Sequence, residues 1–223
     1  MATIYLMFNE GHTATAGTEL VRPALTSEAI RLGRLLSQLL PTEPEIAGLL
    51  ALMLLTESRR PARIRTDGSP TRLAHQDRTL WDRALISEGH QLVRECLTRN
   101  EPGPYQIQAA IAAVHADALT AESTDWAQIV QLYDQLLAQG SDEIVMLNRA
   151  IAIGERSGHE QGLAALEQVD LENHHLFHAA RAELLAGVGR DLEAVLAMDR
   201  AIELTSNESE LLHLSERRSE LAK

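Results

Sequence analysis

The sequence has few aromatic residues and a single cysteine. Aromatic side chains make up 3% of the 223 residues, whereas Ala and Leu dominate the 45% that are hydrophobic. Such a composition favours helices that pack closely through small side chains. Cys96 cannot form an internal disulfide, which is typical of proteins in a reducing compartment. We therefore expect a cytoplasmic protein.

Long apolar runs and an excess of basic residues are also missing. No apolar run approaches the roughly 20 residues of a membrane-spanning helix. Residues 1–100 hold 12 basic and 11 acidic residues (+1), and residues 101–223 hold 8 and 21 (−13). Phosphate binding requires a surplus of basic side chains on one surface. We expect no direct nucleic-acid or membrane contact, and we expect one arginine cluster to pair with acidic residues: Arg59, Arg60, Arg63, Arg65, Arg72 and Arg78.

Motifs of catalytic and metal sites are absent from the sequence. It contains no G-x-S-x-G, P-loop, G-x-G-x-x-G or H-E-x-x-H motif. His90 is six residues from Cys96 and lies on a different helical face, which argues against a thiolate nucleophile. His174 and His178 have the spacing of a metal pair, but a zinc site needs a third protein ligand. We predict a protein without enzymatic activity, metal or cofactor.

Apolar residues recur at helical spacing along most of the chain. No segment with the two-residue period of a strand exceeds five residues. One helix is predicted to begin near Pro23 and end at Pro41. The next opens with Thr42 and Glu45, spaced as a capping box in which each side chain satisfies a free backbone N–H. The pattern predicts an all-α fold.

Glycine and proline divide the chain after this helix. The turn at Thr66–Pro70 predicts a loop from about Arg60 to Leu73. A helix or helix pair is expected from His75 to Arg99, with a break near Gly89. Another helix follows the Pro-Gly-Pro sequence that ends at Pro104.

From Ser123 the chain becomes repetitive. The segments LNRAIAI and LAMDRAIEL are alike, and a period in the low thirties is typical of a helical solenoid. Stacking is required because a lone helical hairpin cannot cover its own apolar face. We predict an N-terminal helical subdomain at residues 1–121 and tetratricopeptide-like repeats at residues 122–223. The predicted helix pairs are 124–138 with 142–156, 160–168 with 172–187, and 190–204 with 207–221.

The last repeats resemble the tetratricopeptide pattern residue by residue. That repeat requires small side chains where its helices cross and large ones between them. Trp126 and Tyr133 match large positions in an earlier repeat. The departures are a missing closing proline, a short helix at 160–168 and His178 in place of a large aromatic residue. The matched positions near the C-terminus are Ala182, Leu185, Gly189, Ala194, Met198 and Ala201.

Six segments in order resemble one group of bacterial proteins. They are similar to the tetratricopeptide-like C-terminal extension of extracytoplasmic-function (ECF) RNA polymerase sigma factors. The resemblance covers nearly the whole chain, and the order of the segments makes it specific. The segments are YLMFNEG (5–11), EAIRLGRLL (28–36), QDRTLWDRALI (76–86), GPYQIQAAIAAVHADA (103–118), TDWAQIVQLYDQLL (124–137) and LNRAIAI (147–153).

The resemblance implies a role in transcription initiation. In that family, the segment matching Ile4–Phe8 follows the region that reads the −35 promoter element. This chain lacks that region and the one that reads the −10 element and docks on polymerase. We interpret Met1–Thr3 as an added start, and the chain as a regulatory, protein-interaction domain. Its expected partners are the sigma core, RNA polymerase through the full-length protein, and a regulatory protein. The alternative is a stand-alone tetratricopeptide-like adaptor that binds peptides and has no transcriptional role.

Two sets of polar residues in the N-terminal subdomain are candidate site residues. Asn9 and Glu10 either contact the sigma core or form a helix C-cap, with Gly11 in a left-handed conformation. Tyr105, Gln108 and His115 are spaced to lie on one face of a helix. Either they form an internal network that joins the N-terminal helices to the repeats, or they line a ligand or peptide pocket. Their candidate partners are Asp77, Arg78, Asn148 and Arg149.

A second candidate surface is the groove of the repeats. In repeats of this kind the first helix of each pair lines the groove, and the acidic second half favours a basic partner surface. Trp126 lies in the first of these helices, which is predicted at 124–138. The candidate contact positions are Ala127, Gln131, Asp134, Glu183 and Ala186.

Overall fold

The computed structural model describes residues 1–15, 20–65 and 69–222. Throughout these residues the regular structure is helical, apart from a single antiparallel bridge between Ile64 and Pro70, so the predicted all-α fold is confirmed. Most of the predicted turn at 66–70 lies outside the described residues. No helix in the described part of the chain is both long and apolar enough to cross a bilayer.

The described residues form twelve α-helices and two single-turn 3₁₀ helices at Leu73–His75 and Arg78–Leu80. The α-helices are α1 (Ala2–His12), α2 (Pro23–Leu39), α3 (Pro44–Glu57), α4 (Arg60–Arg63), α5 (Arg83–Arg99), α6 (Pro104–Asp117), α7 (Trp126–Gln139), α8 (Glu143–Ser157), α9 (His159–Leu166), α10 (His175–Gly187), α11 (Asp191–Leu204) and α12 (Glu208–Leu221).

The chain divides into two compact units, Met1–Asp125 and Trp126–Lys223. This division falls four residues after the predicted boundary between residues 121 and 122. The first unit holds α1 to α6, and the second holds α7 to α12.

Helix α3 is the centre of the first unit. Ten of its 14 residues are buried, on all sides of the helix, and it packs against α2, α5 and α6. A helix that is apolar all round is enclosed by its neighbours, whereas a surface helix has one apolar stripe. The buried side chains of α3 therefore belong to both core clusters of this unit.

The crossing of α3 and α6 brings the backbones close together. A Cβ atom on Gly48 would lie 2.7 Å from the backbone nitrogen of Gln106 and 2.9 Å from its Cα. At the same crossing, the Glu45 carboxylate accepts hydrogen bonds from the N–H groups of Tyr105 (3.0 Å) and Gln106 (3.2 Å). Glu45 thus satisfies N–H groups in the first turn of α6 that have no partner within that helix.

This arrangement corrects the predicted capping box of Thr42 and Glu45. Helix α3 begins at Pro44, in the first-turn position where the missing N–H of proline costs nothing, and no side chain caps it. Glu45 caps α6 instead. The Glu45 carboxylate therefore bonds to residues about 60 positions away in the sequence, and not to the start of its own helix.

Helix α5 is shorter and more continuous than predicted. It begins at Arg83, where Asp82 accepts hydrogen bonds from the N–H groups of Ala84 (2.9 Å) and Leu85 (3.1 Å). It continues unbroken through Gly89, because the missing side chain there makes room for Leu55 of α3. The predicted break near Gly89 is therefore wrong.

In the second unit, successive helices pack against one another. The most extensive contact joins α10 to α11, although the predicted pairs placed these helices in different hairpins. Gly189 makes the turn between them with a φ of 75°, which favours glycine. Five of the six residues matched to the tetratricopeptide pattern near the C-terminus belong to one buried cluster: Ala182, Leu185, Ala194, Met198 and Ala201.

We predict that Gly48→Ala destabilises the first unit. The added methyl group would meet backbone atoms of α6, and overpacking of this kind costs about 1–3 kcal/mol. Urea unfolding followed by circular dichroism measures the loss. Gly140→Ala is the control, because no atom lies within 4 Å of the Cβ position there. Equal stability of the two variants would contradict the close crossing.

Candidate functional site

The face of α6 that carries Tyr105 and Gln108 contacts α1. The Tyr5 hydroxyl donates a hydrogen bond to Gln108 Oε1 (3.3 Å), and the rings of Tyr5 and Tyr105 meet edge to face with centroids 5.2 Å apart. Both tyrosines also pack against the buried clusters around α3. Two of the candidate site residues on this helix therefore belong to a packed network within the first unit.

Arg78 fixes the C-terminal end of α6. It is only 9% exposed, and its Nη1 donates hydrogen bonds to the carbonyl oxygens of His115 (2.7 Å) and Ala118 (2.8 Å). Its guanidinium carbon lies 4.7 Å from the ring centroid of buried Trp81, which is a cation–π contact. Carbonyl groups in the last turn of a helix have no partner within the helix, so Arg78 replaces the water that would otherwise bind them. Arg78 thus meets the backbone of His115.

Asp77 bonds locally. Its carboxylate accepts hydrogen bonds from the N–H (2.9 Å) and hydroxyl (2.6 Å) of Thr79, which holds the pKa of Asp77 below its usual value. It caps the 3₁₀ turn that carries Arg78. Asp77 therefore positions the arginine and does not itself bond to the α6 face.

Two histidines lie close to the arginine cluster. Burial, reinforced by Arg59 and Arg78, lowers the pKa of His115 from 6.5 to about 4. Burial, with Arg63 and Arg59, lowers the pKa of His12 from 6.5 to about 2. Both histidines are therefore neutral near pH 7, and their charged forms are disfavoured in the folded chain.

The arginines of this cluster serve the fold in different ways. Arg60 pairs with Glu57, as we expected for the whole cluster. Arg63 instead donates to the carbonyl oxygen of His12 (2.6 Å) and to the Thr13 hydroxyl (3.1 Å), and Arg78 donates to carbonyls. Arg63 and Arg78 thus donate to backbone carbonyls, whereas the sequence had predicted pairing with acidic side chains.

Asn9 and Glu10 do not form the predicted C-cap. Helix α1 continues to His12, so Gly11 is helical, and a Cβ there would lie 2.7 Å from the backbone nitrogen of Thr26. Asn9 is exposed. Glu10 pairs with Arg22 (2.7 Å) and accepts hydrogen bonds from the N–H and hydroxyl of Thr15, which lower its pKa. Glu10 thus ties α1 to the segment that leads into α2.

Four candidate site residues belong to the second unit. Trp126 is half-buried at the start of α7, and Gln131 and Asn148 are exposed. Arg149 donates a hydrogen bond to Asp134 (2.6 Å), which joins α8 to α7.

Two of the predicted groove positions are covered by other parts of the second unit. Both carboxylate oxygens of Glu183 accept hydrogen bonds from Arg217 of α12. Ala186 packs against the same cluster as Leu214 and Leu221 of α12. At Glu183 the predicted groove position is therefore already bound by Arg217 of the last helix, and Ala186 is partly buried within the unit.

The histidines His174 and His178 have separate structural roles. His174 Nδ1 accepts a hydrogen bond from the N–H of Leu176 (3.3 Å) and so caps α10. His178 is buried, with its Nε2 2.8 Å from the carbonyl oxygen of Glu172. Across residues 1–15, 20–65 and 69–222, no three His, Cys, Asp or Glu side chains are grouped to hold a metal.

A cavity of about 530 Å³ lies between α9, α10 and α11. Its lining includes Arg181, Arg190 and Arg200, together with two glutamates and several apolar side chains. Arg190 forms a bidentate ion pair with Glu193, with hydrogen bonds of 2.7 and 2.6 Å. No sequence pattern suggested this cavity, because its walls come from three helices and the segment before α10.

Comparisons with known proteins find similarity to sequences of unknown function. Residues 1–97 match the family of unknown function DUF6596. An uncharacterized protein of Rhizobium meliloti (strain 1021) is 46% identical over 213 residues, which are 95% of this chain and 50% of that protein. The chain therefore spans about half the length of this curated relative, and the match takes in both helical units. No solved structure matches the chain significantly.

We predict that Arg78→Gln destabilises the first unit by about 1–3 kcal/mol. The substitution leaves the carbonyls of His115 and Ala118 without their charged donor and removes the contact with Trp81. Chemical unfolding measures the change. Arg94→Gln, at an exposed position of α5, is the control and should change stability by less than about 0.5 kcal/mol. An equally small effect at Arg78 would contradict its role as an anchor.

We predict that the first unit loses stability as the pH falls from 6.5 towards 4. His12 and His115 are neutral in the folded chain, whereas the unfolded chain takes up protons below about pH 6.5. Each histidine can contribute a slope of up to about 1.4 kcal/mol per pH unit.

Urea unfolding at pH 7.5 and pH 5.0 tests this pH dependence. His115→Gln should reduce the difference between the two conditions, because it removes one of the proton acceptors of the unfolded state. His75→Gln, at an exposed position in the same unit, is the matched control. A wild-type chain that is equally stable at both pH values would refute the proposed linkage.

Proposed function

We propose that this chain is the regulatory, protein-interaction domain at the C-terminal end of a bacterial ECF-type RNA polymerase sigma factor. The observation that carries the proposal is the ordered set of six segments that resemble this family. Four of them lie in the first unit, within or next to α1, α2, α5 and α6. Their side chains contact one another, as Tyr5 does with Gln108, so the shared pattern corresponds to one packed core.

The helical second unit supports a role in binding proteins. Stacked helical hairpins expose extended surfaces, and such surfaces commonly bind other proteins. Residues 126–223 hold 8 basic and 17 acidic residues, a net charge of −9. This charge favours a basic protein surface as partner and disfavours direct contact with nucleic acid.

The length of the relative is compatible with this proposal. The Rhizobium meliloti protein has about as many residues outside the match as within it. A further segment of this size has room for one or two domains. In our proposal those residues are the sigma core, which contacts promoter DNA and polymerase in the cytoplasm. The present chain contacts that core or a regulatory protein.

The domain would act by favouring one arrangement of the sigma core over another. It can shift this equilibrium only by the difference between its affinities for the two arrangements. Binding to the competent arrangement promotes initiation, and binding to a closed arrangement prevents it. Coupling of this kind typically changes an equilibrium by 5- to 150-fold.

Transcription in a purified system tests the proposal. The full-length protein and a version that ends before this chain are each combined with core RNA polymerase on the cognate promoter. We expect removal of the chain to change transcript yield by at least about fivefold in one direction. A promoter read by the principal sigma factor is the control. Equal yields from the two versions would contradict a regulatory role.

The upstream reading frame distinguishes the proposal from the adaptor alternative. A sigma core encoded in frame before Ile4 supports the regulatory domain. A stop codon at that place supports a stand-alone adaptor that binds peptides. Failure of the purified chain to bind the sigma core, polymerase or any other protein would count against both.

A further inference from the structure

Helix α12 is held less firmly than the other helices of the second unit. Within the described residues, none of its side chains is buried, whereas α7 to α11 each bury at least two residues. Leu211 and Leu212 of α12 are 41% and 50% exposed. Its apolar contact with the neighbouring cluster comes from Leu214 and Leu221, which are only partly buried.

Two arginine–carboxylate pairs also join α12 to this hairpin. Arg217 donates two hydrogen bonds of 2.9 Å to Glu183 of α10, and Arg218 donates bonds of 2.9 and 3.3 Å to Asp199 of α11. Bidentate pairs of this kind fix the orientation of the helix that carries the arginines. Partly exposed pairs nevertheless contribute little to stability and weaken as salt screens them. The position of α12 is therefore specific, but its attachment is weak.

The surface that α12 contacts has a distinct chemistry. The cluster against which Leu214 and Leu221 pack comes from both helices of one hairpin and includes Ala182 and Leu185 of α10 and Ala194, Met198 and Ala201 of α11. Glu183 and Asp199 place carboxylates on the two helices of the same hairpin. Helix α12 therefore contacts an apolar cluster with an acidic group on each helix of the hairpin, in a unit whose net charge is −9.

We propose that α12 is an exchangeable internal occupant of this surface, and that an amphipathic helix of a partner protein, bearing two arginines at the same positions, binds there in its place. The pattern of α12 defines the partner. Leu214 and Leu221 are seven residues apart, and two consecutive arginines lie between them. A partner helix with two apolar residues at this spacing and arginines between them presents the same groups. Amphipathic helices commonly bind in grooves in this way, with apolar residues at helical spacing as the main contacts.

The inference rests only on contacts within residues 126–222, and it holds for a sigma-factor domain and for an adaptor alike. In the free chain α12 has the advantage of being tethered, which gives it a high effective concentration. A partner helix binds when its own contacts exceed those of α12 or when salt and local unfolding release α12. The site is therefore regulated by the helix that covers it.

Hydrogen exchange on the wild-type full chain is the first test. We expect amides of α12 to exchange at least about tenfold faster than those of α11, because α12 opens without unfolding the hairpin. The ratio should increase between about 0.05 M and 1 M NaCl, where screening becomes strong. Equal exchange in α11 and α12 at both salt concentrations would overturn the proposal.

Peptide binding is the second test, and its probe is a fluorescent peptide with the sequence of residues 206–222. The full chain carrying Arg217→Ala and Arg218→Ala should bind this peptide at least about tenfold more tightly than the wild type, since its own helix competes less well. Adding Glu183→Gln and Asp199→Asn should abolish the gain. Arg149→Ala is the matched control, because it removes an ion pair of the same kind at Asp134 and leaves α12 in place.

Three results of the peptide experiment would contradict the proposal. The first is equal affinity of the double variant and the wild type. The second is equal binding of a peptide whose two arginines are replaced by glutamine. The third is a wild-type dimer that the peptide dissociates, which would make a second copy of the chain the occupant. Circular dichroism verifies that each variant is folded.

Discussion

The first unit depends on the close crossing of α3 and α6. Gly48 lets the two backbones approach, and the Glu45 carboxylate then reaches N–H groups at the start of α6. Because α3 is buried on all sides, its other faces fix α2 and α5 as well. The same helix pair that completes the core also places the polar face of α6 against Tyr5.

Both ends of α6 are stabilised by side chains distant in sequence. Glu45 satisfies N–H groups at its start, and Arg78 satisfies carbonyl groups at its end. Each charge has the sign that the helix dipole favours at that end. The candidate residues Arg78, Tyr105 and Gln108 therefore act in the fold of this unit.

Periodicity predicted most of the helices because helical spacing depends on residues near one another in sequence, although the predicted pairs placed α10 and α11 in different hairpins. Ala182, Ala194 and Ala201 are buried where the repeat pattern requires small side chains. The spacing of Thr42 and Glu45 was misleading, because a carboxylate two residues into a helix can cap its own helix or another one. The ion pair between Arg217 and Glu183 could not be predicted either. An arginine at an exposed helical position gives the same sequence pattern whether or not it pairs with an acidic residue of another helix.

The chain contains two tryptophans, and they fall one in each unit. Trp81 is 2% exposed beneath the Arg78 guanidinium, whereas Trp126 is half-buried at the start of α7. The tryptophan fluorescence of the protein is thus the sum of the emission of buried Trp81 and of partly solvent-exposed Trp126. Replacing either indole by phenylalanine leaves a single natural probe, so the melting of each half can be followed separately without any added dye.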